Sequence, residues 1–246
     1  LAWWSNNKFE IKLDSKPFSR LTEIVAIDEN CLFTGNYDKA LARKRVMGDF
    51  RSLPDRYTEN QNSFLRTSAH IIRYIILTRG QHFADQILYS LNVSPLIYQQ
   101  SYEQSINLTY FADLLDTLSR RGFSQEELDT LASVIFLSLK ETELGKVFEK
   151  SESSYDVYSI LAKNFDYFDT NFEYKSRFLG TKYHLKTTLD LTKHMALKEN
   201  SESIHRLLRY RKILLAWFPY LAGLTPLFAK SELTFFSNKV EMSYEV

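Results

Sequence analysis

Side chains able to do chemistry are scattered through this sequence rather than gathered into a signature. The five histidines, His70, His82, His184, His194 and His205, include no His-x-x-x-His pair and no adjacent His-Glu zinc motif. A metal site would therefore have to be assembled from distant elements. The single cysteine, Cys31, has no histidine near it in sequence and supports neither an internal disulfide nor a Cys-rich zinc site. A Gly-x-Ser-x-Gly elbow, a Walker loop and a Gly-x-Gly-x-x-Gly turn are all absent. Glu126-Glu127 and Glu141-x-Glu143 read as helix-surface or capping acids before they read as a catalytic pair. The patterns predict no enzyme activity, no metal and no cofactor.

Recognition chemistry remains. The stretch Phe172–Leu189 reads as strand, a two-residue Gly180-Thr181 turn of type II′, and strand. That register pairs Phe178 with Tyr183, Ser176 with Leu185, Tyr174 with Thr187 and Phe172 with Leu189 on one largely apolar face. On the other face Arg177 stands opposite His184, Lys175 opposite Lys186 and Glu173 opposite Thr188. Like charges set across from each other destabilise a pair, so Lys175 and Lys186 require water, the diagonal Glu173 or an anion. If water alone serves them, Lys186→Glu should hold or raise stability; if an anionic ligand does, binding should fall. His184 beside Arg177 titrates near neutral pH if unperturbed. A second basic group, His205, Arg206, Arg209, Arg211 and Lys212, puts His205, Arg209 and Lys212 on one helical stripe, and Lys39, Arg43, Lys44 and Arg45 form a third cluster. Both read first as solvated faces, and second as phosphate or DNA contacts.

These residues must be positioned by an α+β fold, mainly helical, with a small antiparallel sheet near the C-terminus. A terminal hairpin places Leu233, Phe235, Val240 and Met242 on one face if Ser237-Asn238 is its turn, with Tyr244 and Val246 continuing the alternation. The two hairpins join into one four-stranded sheet. A long helix from about Ser201 to Phe218, with Asn200 as its cap and Pro219 as its stop, lies between them. Its Ile204, Leu207, Leu208, Leu214, Leu215 and Phe218 cover the apolar face. Tyr174, Arg177, Phe178, Tyr183, His184, Trp217 and Tyr220 are the candidate ligand-binding residues, with Phe235 among the aromatics nearby; simple core packing is the alternative.

Upstream, helical spacing is dense. Phe64 to Ile76 marks a helix ending before Gly80, Phe83 to Leu91 the next, and Ile106 to Leu118 one stopped by Gly122. Ser124-Gln-Glu-Glu127 is a capping box ahead of Leu128, Leu131 and Ile135, and Ser153-Ser-Tyr-Asp156 opens a further helix ended by the polar stretch from Asp166. The polar run Arg51 to Asn62, with Pro54, reads as an exposed connection. Residues 1–55 are thus expected to form an N-terminal subdomain or the end of a preceding domain, and 56–246 the α+β domain.

Composition narrows the partners. Lys and Arg total 31 against 30 for Asp and Glu, which gives no overall electrostatic case for wrapping nucleic acid or lying on an anionic membrane. The most apolar run, Ile213 to Ala222, is too short to span a bilayer and contains Pro219. The lone cysteine suits a cytoplasmic location. Opening on Leu1-Ala-Trp-Trp4, without Met or signal peptide, the chain is expected to be part of a longer protein.

The segment Gln86–Leu108, followed by Phe111-Ala-Asp-Leu-Leu115, resembles the amino-terminal sensory domain of AraC-type transcription regulators. Thr142-Glu-Leu-Gly-Lys-Val-Phe148 is similar to that family's Gly-Leu element, with the order of Gly and Leu reversed. The closing half, hairpin, long helix, Pro219 and hairpin, is similar in outline to vinyl-reductase-type small-molecule sensor domains, which commonly carry cysteines in the last hairpin where this chain has none. The resemblance covers about residues 65 to 246. It implies a bacterial ligand-sensing domain, acting as a homodimer, that binds a small, largely apolar effector and passes its state to an output domain outside this sequence, DNA being contacted only through that domain. A protein-interaction or dimerisation module without a small ligand is the alternative.

Overall fold

A computed structural model describes residues 53–245 apart from positions 61, 96, 101–103, 141–142, 165–169, 180–181, 195–196, 198–200 and 228–229. Cys31, the cluster Lys39 to Arg45, the Gly180-Thr181 turn and the Asn200 cap lie outside the described residues, as does nearly all of the expected N-terminal subdomain. Residues 51–246 form one unit.

The helical part is built from α1 (Asp55–Thr58), α2 (Arg66–Arg79), α3 (Gln81–Ser90), α4 (Ile97–Gln100), α5 (Leu108–Arg120), α6 (Gln125–Leu139), α7 (Glu143–Lys146) and α8 (Ser154–Lys163). Side chains next to the first turn start several of these helices, the boxes at Ser124 and Ser153 as expected and Asn107 in addition. Asn107 caps α5 by accepting from the Thr109 amide. Ser124 and Glu127 close a reciprocal box at α6, and Ser153 and Asp156 close another at α8. Gly80, at φ 85°, turns the chain between α2 and α3 in a conformation that L residues rarely adopt. The run expected to be an exposed connection is instead anchored: Leu53 and Tyr57 are buried in the core, and Tyr57 Oη donates to Asp113 of α5 at 2.8 Å. Two short strands absent from the sequence reading, β1 (Ser63–Phe64) and β2 (Ser105–Ile106), pair antiparallel.

The two hairpins of the C-terminal sheet match the expected register. The sheet comprises β3 (Phe172–Leu179), β4 (Lys182–Asp190), β5 (Lys230–Phe235) and β6 (Lys239–Glu245), in the order β3-β4-β6-β5 and antiparallel at each step. Phe172, Tyr174, Tyr183, Leu185, Thr187, Leu189, Val240, Met242 and Tyr244 make its buried face. The period of two along each strand sends the charged residues to the other face.

Helix α9 (Ser201–Trp217) runs between the sheet and the helices, followed by a 3-10 turn, Phe218–Ala222, that carries Pro219 near its start. Ile204, Leu207, Leu208 and Leu215 of α9 are buried. At its C-terminal end Phe218 packs edge-on against Phe136 at 5.2 Å and Phe148 at 5.7 Å, tying α6 and the segment after α7 to the same core.

Candidate functional site

Between the sheet and α9 sits a cation. Arg211 follows Leu207 by four residues and precedes Leu215 by four, so helical geometry puts it on the apolar row of α9 rather than on the basic stripe. It is only 8% exposed. Its guanidinium carbon lies 3.8 Å from the centroid of the Phe172 ring and 5.5 Å from that of Tyr174, and it donates to the Tyr174 hydroxyl. The negative faces of the two rings and the phenolic oxygen stabilise the charge inside the protein.

Further hydroxyls lie along the same buried face of the sheet. Thr187, 1% exposed, stands on β4 between Tyr174 of β3 and Met242 of β6, and its Oγ1 has no hydrogen-bond partner among the described residues. Tyr244 Oη donates to the Met242 sulfur at 2.6 Å. Burial raises the Tyr244 pKa, against the smaller opposing effect of the Arg211 charge. Tyr183 packs on Tyr155 at 4.7 Å and stacks on Tyr158 at 6.5 Å, while Tyr158 Oη donates to the Leu215 carbonyl at 2.9 Å. Burial raises the pKa of both Tyr158 and Tyr183. Each phenol is therefore a neutral donor at physiological pH. The arrangement is an aromatic seam carrying one fixed cation and several hydroxyls.

The seven sequence candidates divide among three places. Tyr174 and Tyr183 lie in this seam. Phe178 shares their face by register with Tyr183, and its side chain lies outside the described residues. Arg177 and His184 pair across the opposite face, Arg177 exposed and His184 half-buried next to Glu245. Trp217 and Tyr220 are half-buried at the far end of α9, edge-on at 5.7 Å, with the Lys140 ammonium 5.1 Å from the Tyr220 ring. Sequence reasoning placed Arg211 in a basic cluster and missed its role, together with those of Phe172, Thr187, Tyr155 and Tyr158. The available signal was its spacing from Leu207 and Leu215.

On the outer face the Lys175–Lys186 pairing is present, and protein carboxylates resolve it. Lys186 meets Glu241 of β6 at 2.6 Å, Lys239 meets the same carboxylate at 2.7 Å, and Lys175 meets Glu173 at 3.0 Å. Glu241 was not among the partners weighed from the sequence, because strand order was unknown. The expected outcome of Lys186→Glu changes accordingly: it sets two carboxylates together and lowers the melting temperature by a few degrees. Lys186, then Lys239, holds the Glu241 carboxyl below its ordinary value of 4.5. A depressed carboxylate contributes stability above its unfolded pKa and loses it as pH falls through the folded one. The penalty of Lys186→Glu should therefore shrink in acid, which thermal melts at pH 7 and pH 4 would show.

Most of the basic cluster of α9 is engaged within the protein. Arg209 makes a fork to Asp129 of α6 at 3.0 and 2.7 Å, and the His205 ring lies 4.8 Å from Phe235. Arg206 reaches Asp116 of α5 and, at 2.6 Å, Glu202. Among the described residues no group of three or more His, Cys, Asp or Glu side chains could hold a metal ion, and no helix is long and apolar enough to cross a membrane.

No family model and no curated protein matches the chain. Among solved structures it is similar to an Fe(II) unliganded H-NOX protein from K. algicida, with a TM-score of 0.47, 12% identity, and coverage of 74% of this chain and 95% of that one. A mutant of the same protein gives a TM-score of 0.49, 9% identity, and coverage of 75% and 97%.

Proposed function

We propose that this unit is a regulatory sensory domain, not an enzyme, that binds a small, largely apolar effector between the sheet and α9 and passes its state to an output domain. The observation that carries this reading is the seam itself: a buried guanidinium and several hydroxyls set among aromatic rings. Sites for small ligands have this make-up, with apolar walls supplying affinity and a few fixed polar groups supplying orientation. A bacterial transcription regulator or signalling protein of the cytoplasm, acting as a homodimer, is the setting suggested by the resemblance to AraC-type sensory domains.

A thermal-shift screen of the full chain against hydrophobic acids, aromatic compounds and nucleotides tests the reading, since a ligand that binds only the native state raises stability by mass action. Hydrophobic acids or aromatics should raise the melting temperature by several degrees at saturation. Indifference to every compound would overturn it.

A second reading, a protein-interaction or dimerisation module without a small ligand, is favoured by one observation. Leu233, Phe235 and Phe236, at the sheet's β5 edge, are 40%, 44% and 45% exposed, and exposed apolar clusters mark association surfaces. Mass measured over a wide concentration range decides it; a monomer throughout would argue against it.

A further inference from the structure

The joint between α2 and α9 contains a histidine that none of the preceding functions uses. His70 of α2 and Tyr210 of α9 meet through imidazole Nε2 and phenol oxygen at 2.8 Å. Tyr210 is 5% exposed, and Phe111 of α5 packs edge-on against its ring at 5.0 Å. The other ring nitrogen of His70, Nδ1, is buried with no hydrogen-bond partner among the described residues.

A neutral imidazole has one donor and one acceptor nitrogen, so a single bond to Tyr210 is compatible with either tautomer. The imidazolium differs. Both nitrogens then carry protons, and the added charge sits where Nδ1 has no acceptor. The facing titratable group is Tyr210, and burial raises its pKa, so it provides no negative charge. Among the described residues no charged side chain acts on the ring, whether from α2 itself, from α5 and α9, or from α3 and α6 packed on α2; burial alone sets its protonation and holds the pKa down at about 3.

We propose that the His70–Tyr210 contact is an acid-released latch between α2 and α9, helices that otherwise pack on α3, α5 and α6: it closes while the imidazole is neutral and opens when the ring takes a proton. Helix α9 also carries Arg211, the cation of the seam, so acidification loosens the sensory layer from its helical side.

The sign follows from proton linkage. His70 binds its proton in the open or unfolded chain with the ordinary pKa of 6.5 and in the closed chain only near 3. Closure is therefore at full strength above about pH 6.5 and weakens by up to tenfold in its equilibrium constant for each pH unit below that. The experiment compares the wild-type chain with His70→Gln, which can still bond to Tyr210 but does not titrate. Urea unfolding and amide hydrogen exchange of α2 and α9 are followed at pH 7.5, 6.0 and 5.0. The wild type should lose about tenfold more closure than His70→Gln between pH 6.0 and 5.0, with faster exchange in both helices. Equal pH dependence in the two proteins would overturn the proposal. If His70→Gln does not fold, the NMR titration of the His70 ring in the wild type decides: no protonation in the folded chain down to pH 5 supports the latch, and a midpoint near 6.5 overturns it.

Discussion

Replacing Arg211 with Ala is expected to destabilise the domain by about 3–4 kcal/mol, because it removes a buried charge together with the aliphatic stem that packs between sheet and helix. The lost contacts are specific. Phe172 loses the cation 3.8 Å from its ring centroid, and the Tyr174 hydroxyl loses a charged donor while remaining buried. Arg211→Met separates charge from volume. An apolar side chain of similar length fills the space without the desolvation cost of an ion, and such exchanges are often neutral or even stabilising. Urea unfolding of the two variants therefore gives a contrast: a large loss for Ala and little or none for Met. Equal, small effects would mean that Arg211 does not sit under the sheet. The same pair probes function. If the seam orients an effector, Arg211→Met remains folded but shows a much smaller thermal shift with a compound that stabilises the wild type.

The contrast between Arg211 and its neighbours also shows what the sequence could and could not disclose. Local rules were decisive where the physics is local: the boxes at Ser124 and Ser153, the stop at Gly80 and the cross-strand pairs of β3 and β4 depend on residues a few positions apart. Period-two and helical spacing likewise placed the buried Val240 and Met242 of β6 and the apolar row of α9, whereas Leu233 and Phe235, expected on the same buried face, are exposed on the edge strand β5. Pairings between distant segments were not visible. Glu241 as the partner of Lys186 requires β6 to lie beside β4, and no side chain within either hairpin dictates that neighbour. Polarity misled in two places. Arg51 to Asn62 is polar on average, yet Leu53 and Tyr57 alone suffice to anchor it. Grouping Arg211 with adjacent bases by composition concealed that a step of two residues, more than half a helical turn, separates the exposed Arg209 from the buried Arg211. For the candidate site, the legible part was the aromatic face containing Tyr174 and Tyr183. The cation from α9 and the tyrosines from α8 depended on tertiary packing.

Asp116 should be nearly as sensitive as Arg211, for the opposite reason: it is a buried anion whose partners come from another helix. It lies on α5, 8% exposed, and accepts from Ser203 Oγ and from Arg206, both on α9. Asp116→Ala leaves a buried hydroxyl and a largely buried guanidinium without that acceptor, at an expected cost of about 3 kcal/mol. Arg206 retains Glu202 at 2.6 Å, but that carboxylate is 80% exposed and replaces only part of the interaction. Asp116→Asn keeps an oxygen for Ser203 while removing the charge, so about half the loss should remain. A double-mutant cycle with Arg206→Met isolates the pair. Once the guanidinium is gone, Asp116→Ala should cost less by about 1–2 kcal/mol, as expected for residues in direct contact. Strict additivity would show that α5 and α9 are held by their apolar surfaces alone and that this ion pair contributes nothing to their alignment.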